Sequence, residues 1–348
     1  MAAWPRAIMR ACIPVCAAIP YVSTSALAHG DHGGGGGNVL PQGTTLVTFD
    51  VEYTKFKPIS DARLTDLALQ GVAEVHSLKS IAVPTVALAY GVTNDLTVGV
   101  RLPYLANREI RETDPDNGGV NARGGVYGIG DTTVTATYRV LREASAGLDA
   151  AAIAGVKVPT GRNDAVDKNG ELFETEHQPG SGSWDGVFGF SLAKQVGPVG
   201  LSANGLYGLA GDGDRNTNLG DRFSYGIGVS YRLLTSGNGG SHMHLGADRP
   251  AGIMHHGGVD HNAPASPFGP MTVDLLLGIN GEWHDQQTVD GVRDGNTGGH
   301  VLYVSPGVQF ATQRTATTVT LAIPVATQLN GIQSEPDWRL TSSFGVKF

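Results

Sequence analysis

The chain has 348 residues, of which 50 are glycine and only 16% are charged, and its formal net charge at pH 7 is −8. No apolar run approaches the ~18 residues that a transmembrane helix needs, which leaves a soluble protein or a membrane-spanning β-barrel. The negative charge argues against nucleic acid as a partner, because phosphate binding depends on clustered lysine and arginine.

The first 28 residues have the pattern of a secretory signal peptide. Arg6 and Arg10 give a positive start, residues 11–22 are mostly apolar, and the sequence Ala-Leu-Ala at 26–28 resembles a cleavage site. We predict removal after Ala28, which takes away two arginines and no acid and changes the formal charge from −8 to −10. Both cysteines lie in this segment, so the mature chain is predicted to contain no disulfide.

Residues 29–43 follow as a His/Gly-rich segment, which we predict to be flexible. It contains His29, His32 and a run of five glycines. Residues 44–348 are predicted to form a single domain.

Residues 44–348 contain many segments in which apolar and polar residues alternate, the period-two pattern of β-strands. Each segment is close to the ~10 residues that a tilted strand needs to cross the hydrocarbon of a bilayer. Twelve strands are predicted, near 44–56, 81–92, 96–105, 130–141, 148–158, 184–195, 199–209, 223–234, 271–280, 301–311, 316–328 and 338–348.

The predicted connections alternate between tight turns and long polar loops. The turns are 93–95, 142–147, 197–198 and 312–315, and the loops lie near 57–80, 106–129, 159–183, 210–222, 281–300 and 329–337. Outer-membrane barrels have this asymmetry, with short periplasmic turns and long external loops. The pattern predicts an all-β fold, a single antiparallel transmembrane barrel whose even strand number places both termini in the periplasm.

One connection on the side of the tight turns, residues 235–270, is long and rich in histidine. Five of the eleven histidines of the chain fall within twenty residues of it. Imidazole binds Cu, Zn and Ni, and the methionine thioether adds a preference for Cu(I). The candidate metal ligands are His242, Met243, His244, Met254, His255, His256 and His261, with His29 and His32 from the N-terminal segment. The alternative is a solvated, low-complexity periplasmic loop without a specific ligand.

The last predicted strand, 338–348, ends on Phe348 and has aromatic residues at both ends of one face. Such a strand is typical of a barrel whose outer surface crosses the bilayer between two aromatic girdles. Aromatics near other strand ends fit the same scheme, with Tyr104, Trp184, Tyr207, Phe223, Tyr225 and Trp338 on the loop side and Tyr90, Tyr138 and Tyr231 on the turn side.

The opposite faces of these strands carry charges, which we predict to line the lumen. They are Asp50, Glu52, Arg101, Arg139, Asp149, Lys157, Arg232, Asp274, Arg339 and Lys347. Charges inside a barrel either pair and fill it or line a pore. Barrels of ~8 strands are filled and those of ~16 to 18 strands leave a water channel, so twelve strands leave both interpretations open.

Four Gly-rich segments carry a family resemblance. They are residues 90–104, residues 128–139 with Gly-Ile-Gly-Asp at 128–131, Lys-Val-Pro-Thr-Gly at 157–161 and Gly-Ser-Gly-Ser-Trp-Asp at 180–185. Together with the terminal strand, they resemble the meta-pathway phenol-degradation family of outer-membrane proteins, whose members are labelled transporters. The resemblance spans about residues 80–235 and implies an outer-membrane barrel that passes small or hydrophobic molecules. It implies no catalytic residue, and residues 235–270 depart from its pattern of tight turns.

His177, which precedes serines in a Gly-rich loop, is the nearest approach to a catalytic motif. In the outer-membrane phospholipase the nucleophile follows two residues after the histidine, and Pro179 stands at that position here. No phosphate-binding loop is present in the sequence. We therefore predict that the protein is not an enzyme and has no cofactor beyond the Cu, Zn or Ni considered above.

The sequence thus favours an outer-membrane channel or transporter for small solutes, hydrophobic and aromatic ones included, in a Gram-negative bacterium. One alternative is a metal-handling protein whose periplasmic His/Met loop binds Cu, Zn or Ni. A second is a structural barrel with a filled lumen. The expected partners are outer-membrane lipid, the barrel-assembly machinery and a small-molecule solute or metal ion.

Overall fold

The computed structural model describes residues 39–72, 75–143, 145–236 and 271–348, and strands dominate these residues. The strands are β1 Thr45–Lys57, β2 His76–Ser77, β3 Ser80–Gly91, β4 Leu96–Asp114, β5 Gly119–Ile129, β6 Thr132–Glu143, β7 Leu148–Val158, β8 Asp185–Val196, β9 Val199–Leu209, β10 Thr217–Asn218, β11 Arg222–Ser236, β12 Met271–His284, β13 Thr288–Val289, β14 Val292–Arg293, β15 Gly299–Ala311, β16 Thr315–Leu329 and β17 Glu335–Lys347. One α-helix, α1, spans Asp61–Leu69, and 3₁₀ turns span Thr175–His177 and Asp214–Asn216. Within these residues, no helix is both long and apolar enough to cross a membrane.

Twelve of the strands form a closed antiparallel barrel, as the alternating pattern predicted. Their order around the barrel is β1, β3, β4, β6, β7, β8, β9, β11, β12, β15, β16 and β17. The barrel closes between β1 and β17, which pair from Leu46 opposite Lys347 to Lys57 opposite Glu335. Closure satisfies the backbone hydrogen bonds of every barrel strand, which a chain in lipid requires.

The last residue extends this closing pair. The backbone N–H of Phe348 donates to the carbonyl of Thr45 at 2.9 Å, and the N–H of Thr45 donates to the carbonyl of Phe348 at 3.2 Å. The Phe348 ring is 75% exposed on the outside of the barrel. The first and last barrel strands therefore meet at the same end of the molecule, with an aromatic ring at its rim.

Replacing Phe348 with Asp is expected to lower the fraction of folded barrel in the outer membrane. The substitution puts a carboxylate where an aromatic ring would lie at the membrane interface, and the other girdle residues cannot compensate for it at the closing seam. The fraction can be measured on a gel that separates heat-modifiable folded barrel from unfolded chain. Phe348→Tyr, which keeps the ring, should assemble normally. Equal assembly of the Asp and Tyr variants would exclude a role for the terminal ring.

The connections give the barrel two different ends. Short turns join β3 to β4, β6 to β7, β8 to β9 and β15 to β16 at one end, here called the turn end, where β1 starts and β17 finishes. The other end, the loop end, carries the long connections from β1 to β3, β7 to β8, β9 to β11 and β12 to β15. This is the predicted asymmetry.

Several predicted loops contain regular structure. In 210–222 and 281–300, β10, β13 and β14 form a small sheet, and the largest differences from the prediction are in 106–129 and 57–80. The predicted loop 106–129 is mostly strand, because β4 continues to Asp114 and β5 returns from Gly119 as a hairpin that rises beyond the barrel wall. Ile110 and Val126 are almost fully buried in this hairpin, so packing against other loops stabilises strands there. The predicted loop 57–80 contains α1, which Ser60 caps by accepting the N–H of Arg63 at 3.3 Å.

The outer surface of the barrel is apolar. Large side chains such as Phe49, Leu88, Phe190 and Val325 are between 45% and 57% exposed, although they belong to regular strands. Soluble monomers rarely expose contiguous apolar patches larger than about a few hundred Å². A continuous apolar belt around a closed barrel is typical of a lipid-facing surface.

Aromatic side chains lie at both margins of this belt. Tyr104, Trp184 and Tyr207 are exposed at the loop end, and Tyr90, Tyr138 and Tyr231 at the turn end. Phe223, Tyr225 and Trp338 are less exposed because they pack on neighbours. Tyr225, for example, crosses Gly281 and its hydroxyl lies 2.9 Å from Nε2 of His300.

Candidate functional site

The inner faces of the barrel strands carry the charges predicted for the lumen. Asp50, Arg139, Asp149, Lys157 and Asp274 are buried there, and Glu52, Arg101, Arg232, Arg339 and Lys347 are partly shielded. The structure brings nine of the ten together with partners in five groups, and Lys347 lies opposite Leu46 at the turn end.

Arg339 on β17 is the centre of the largest group. It forms a bidentate pair with Glu282 on β12, one arm of which is a hydrogen bond of 2.9 Å, and its Nε lies 3.5 Å from Oε1 of Glu52. Nε also donates to the hydroxyl of Thr54 at 3.1 Å, and the guanidinium lies 4.9 Å from the ring centroid of Tyr303. Because β12 and β17 are separated by two strands, these contacts span part of the lumen and narrow it.

A second group lies nearer the middle of the barrel. Asp50 accepts a hydrogen bond from Ser343 at 2.6 Å and an ion-paired hydrogen bond from Arg101 at 3.4 Å. Asp50 is 4% exposed, so its charge depends on these donors.

Two further pairs lie toward the turn end. Nε of Arg139 is 3.1 Å from Asp149, and its other nitrogens donate to the backbone carbonyls of Asn94 and Val39. Arg232 forms a bidentate pair with Asp274, with hydrogen bonds of 2.8 and 3.1 Å. The Arg139 contacts also hold the start of the described chain against the barrel.

Lys157 is the centre of a buried polar cluster at the loop end. Its Nζ lies 2.6 Å from Asp185 and 3.4 Å from Asp131, and it donates to the Ser181 hydroxyl at 2.5 Å. Asp131 also accepts the N–H groups of Gly161 and Ser181, each at 2.9 Å. Three of the four segments that carry the family resemblance thus meet in this cluster.

This Lys157 cluster anchors the long loop 159–184. At its base the two crossing backbones touch, and a Cβ on Gly180 would lie 2.5 Å from the carbonyl carbon of Gly161. Any larger residue would separate the two segments. The glycines therefore allow Asp131 to bind both sides of the loop at once.

The anchored loop turns inward over the lumen. Phe173 and Ala165 from the loop pack with inward-facing residues of the strands and the β4–β5 hairpin, in a cluster that comprises Phe56, Leu78, Ile81, Val83, Leu105, Ile110 and Val126. Gln178 links separate parts of the loop. Its Oε1 accepts the N–H of Ala165, and its Nε2 donates to the carbonyls of Ala165 and Phe173. We call residues 61–72, 75–79, 109–124 and 159–184 the loop-end cap.

Beside this apolar core, the loop-end cap encloses a second polar group, the His/Glu cluster of His76, Glu112, Glu174, Glu176 and His177. Nε2 of His76 lies 3.1 Å from Oε2 of Glu112 and 3.9 Å from Oε2 of Glu174. The rings of His76 and His177 meet edge to face with centroids 4.5 Å apart. Two residue sets, His76 with Glu176 and His177, and His76 with Glu112 and Glu174, each place their ligand atoms within 4.8 Å of one another.

Burial controls the protonation of this cluster. Burial raises the pKa of the Glu176 carboxyl to about 7, and the neighbouring Glu174 carboxylate acts in the same direction. Burial also holds the pKa of His177 well below its usual range, with His76 and Arg123 adding to the effect. His177 is therefore uncharged at neutral pH.

Sequence similarity connects these features to known proteins. Residues 68–270 match the model of the family described as "Putative MetA-pathway of phenol degradation". The match spans 203 of the 348 residues, counted from 68 to 270 inclusive. The chain belongs to this family. The resemblance of the Gly-rich segments is thereby confirmed, and these segments lie within or overlap the matched range.

One solved structure has the fold of this phenol-degradation family member, and two others align less closely. An outer membrane channel from Pseudomonas putida F1 aligns with a TM-score of 0.57 at 16% identity, over 92% of this chain and 98% of the other. A mutant of the monoaromatic hydrocarbon channel TodX gives a TM-score of 0.43 at 10% identity, over 94% and 98% of the two chains. The toluene transporter TbuX from Ralstonia pickettii gives 0.37 at 11% identity, over 89% and 90%. None of the curated proteins compared with the chain matches it.

Sequence reasoning missed the His/Glu cluster of this family member. The sequence pattern points to His177 only as a catalytic candidate and gives no role to His76, Glu112, Glu174 or Glu176. The available signal was the sequence Glu-Thr-Glu-His at 174–177, three metal-ligating side chains within four residues. The histidines and methionines that were predicted as metal ligands, at positions 29, 32 and 242–261, lie outside the described residues.

Proposed function

We propose that this protein is an outer-membrane channel through which small solutes, hydrophobic and aromatic ones included, pass along the barrel lumen. The observation that carries the proposal is a closed twelve-stranded barrel whose outside is an apolar belt and whose inside carries polar and charged side chains. Glu282 near the loop end and Arg232 near the turn end are 26% and 25% exposed, so inward-facing charges meet solvent at both ends of the barrel. These open ends support a hydrated path, because a barrel of twelve strands is wider than the ~8-stranded barrels that side chains fill.

The proposed solute class follows from family membership and from the chemistry around Arg339. The family description refers to phenol degradation. A phenol has an apolar ring and one hydroxyl group, and the narrow part of the lumen offers Arg339 and Thr54 as hydrogen-bonding groups beside the ring of Tyr303. A guanidinium attracts the face of an aromatic ring, and aromatic rings attract one another in offset or edge-to-face arrangements.

The proposed membrane orientation places the loop end outside the cell and the turn end in the periplasm. The support is that β1 starts and β17 finishes at the turn end, and that the long connections are at the opposite end. Outer-membrane lipid and the barrel-assembly machinery are the partners that this orientation implies. Cleavage of residues 1–28 belongs to the same proposal.

Single-channel recording in planar bilayers tests the channel proposal against a structural barrel with a filled lumen. Purified folded protein should give discrete conductance steps in KCl, whereas heat-unfolded protein from the same preparation should give none. Absence of steps from the folded protein would favour the filled barrel.

Current block tests the solute class separately. Phenol in the millimolar range should reduce the ionic current more than cyclohexanol, which has nearly the same size and hydroxyl group but lacks the aromatic face. Equal block of the current by both alcohols would be consistent with a channel but would contradict a preference for aromatic solutes.

A further inference from the structure

We propose that the His/Glu cluster of the loop-end cap is a binding site for a divalent transition-metal ion of the zinc type. His76, His177 and Glu176 are the principal ligands, and Glu112 and Glu174 complete the set. None of these ligands belongs to the charged groups of the inner wall described above or to residues 237–270.

The residues of the cluster converge from distant parts of the chain. His76 lies on β2, Glu112 on β4, and residues 174–177 include the 3₁₀ turn of the loop 159–184. Their ligand atoms lie within 4.8 Å of one another in each set of three. Two ligands of a tetrahedral zinc ion, each at 2.0 to 2.2 Å, are separated by about 3.3 to 3.6 Å. Small side-chain rotations close the remaining gap.

Two polar atoms of the proposed ligands are buried without a hydrogen-bond partner. Nε2 of His177 and Oε1 of Glu176 have none, and the two residues are 1% and 3% exposed. A buried polar atom without a partner typically costs about 1 to 3 kcal/mol. A metal ion between the two rings and the carboxylate would satisfy both atoms at once.

The cluster carries an excess of negative charge. Glu112, Glu174 and Glu176 belong to it, Asp167 lies beside it, and Arg123 is the cation that pairs with Glu112 at 3.0 Å and with Asp167 at 3.1 Å. Even with Glu176 protonated, the other three carboxylates and the guanidinium leave an excess of two negative charges. A bound dication would offset this excess in a region with little water.

The ligand types select the class of ion. Two imidazoles with carboxylates suit Zn²⁺, Ni²⁺ or Cu²⁺, whereas Ca²⁺ and Mg²⁺ prefer oxygen ligands alone. A bound ion would join β2, β4 and the loop 159–184, and would thus fasten the loop-end cap to the barrel.

The test must separate this site from the other histidines. In a full-length background variant, the histidines at 29, 32, 242, 244, 255, 256 and 261 are changed to Asn, which leaves His76, His177, His284 and His300. After treatment with EDTA, the folded protein is titrated with Zn²⁺ by calorimetry. We expect one ion per chain, unaffected by millimolar Ca²⁺. Co²⁺ should give the visible absorption bands of a tetrahedral site.

Substitutions in this background assign the ligands. His177→Gln and Glu176→Gln should each weaken Zn²⁺ binding at least about tenfold, because even residues that only support a ligand change affinity about 10- to 100-fold. His300→Gln, which changes a histidine on β15, should bind as the background does. If His177→Gln does not fold, as judged by heat modifiability, Glu176→Gln decides. No binding by the background, or unchanged binding by the folded ligand variants, would overturn the site, and neither result bears on conductance.

Discussion

Replacing Asp131 with Asn is expected to release the loop 159–184 from the barrel. The carboxylate of Asp131 accepts N–H groups from both sides of the loop and lies 3.4 Å from the buried Nζ of Lys157. The side chain of Asn has the shape of Asp but no charge. Its NH₂ group would replace one carboxylate oxygen and would face an N–H donor, where Asp131 now accepts a hydrogen bond. Breaking a buried ion pair typically costs about 3 to 5 kcal/mol. Because Lys157 retains Asp185 at 2.6 Å, we expect the lower end of that range.

Trypsin cleavage inside the loop measures this effect. Arg162 and Lys168 are exposed residues of the loop, and release of the loop should make the backbone around them more accessible to the protease. When opening is fast, the cleavage rate follows the population of the open form, so about 3 kcal/mol corresponds to roughly a hundredfold faster cleavage.

The matched control for this variant is Asp164→Asn. Asp164 lies in the same loop, and its side chain is 79% exposed and pairs only with Arg162 among the described residues. Its loss should change the cleavage rate little, because exposed ion pairs contribute about 0 to 1 kcal/mol. Equal cleavage of the two variants would show that the Lys157 cluster does not hold the loop.

Replacing Arg339 with Ala is expected to make the channel more conductive and more selective for cations. The change removes the side chain that reaches across from β17 to Glu282 and leaves Glu52 and Glu282 without their shared cation. One uncompensated charge attracts a cation at ~4 Å by about 1 kcal/mol in water-like surroundings, which is about fivefold in an equilibrium constant. Two such charges should have a larger combined effect.

The reversal potential under a KCl gradient measures the selectivity of this variant. Adding Glu52→Gln to Arg339→Ala returns the net charge of the group to −1, as in the wild type, and should restore the wild-type selectivity while the larger conductance remains. Arg314→Ala, at the β15–β16 turn, is the control for loss of an arginine elsewhere. A reversal potential that Arg339→Ala leaves unchanged would mean that ions do not pass this group.

The barrel itself was predictable from the sequence because its signal is local. Lipid outside and water inside impose a period-two alternation on every strand. Adjacent residues such as Phe49, which is exposed on the outer face, and Asp50, which is buried on the inner face, show this alternation. The alternation of turns and loops is equally local. Strand number, closure and the inward direction of the charged residues therefore follow without knowledge of any tertiary contact.

The contacts between inward-facing side chains could not be predicted from the sequence, because the partners lie on strands that are distant in sequence. Arg339 and Thr54 are 285 positions apart, and only the β1–β17 closure places them side by side. The strand pattern likewise gave no reason to extend β4 beyond residue 105, since the hairpin it forms with β5 depends on burial of Ile110 against other loops.

A twelve-stranded barrel with an apolar exterior and a charged interior is predictable from the chain alone, because alternation along a strand records which side faces lipid. The inward fold of the loop 159–184 depends on contacts between distant segments, and so does the convergence of His76, Glu112 and His177 inside the loop-end cap, since His76 and Glu112 are 36 positions apart. Loop packing depends on non-local apolar contacts and on anchors such as the Lys157 cluster. No periodicity in the chain records those contacts, so the His/Glu cluster becomes visible only in three dimensions.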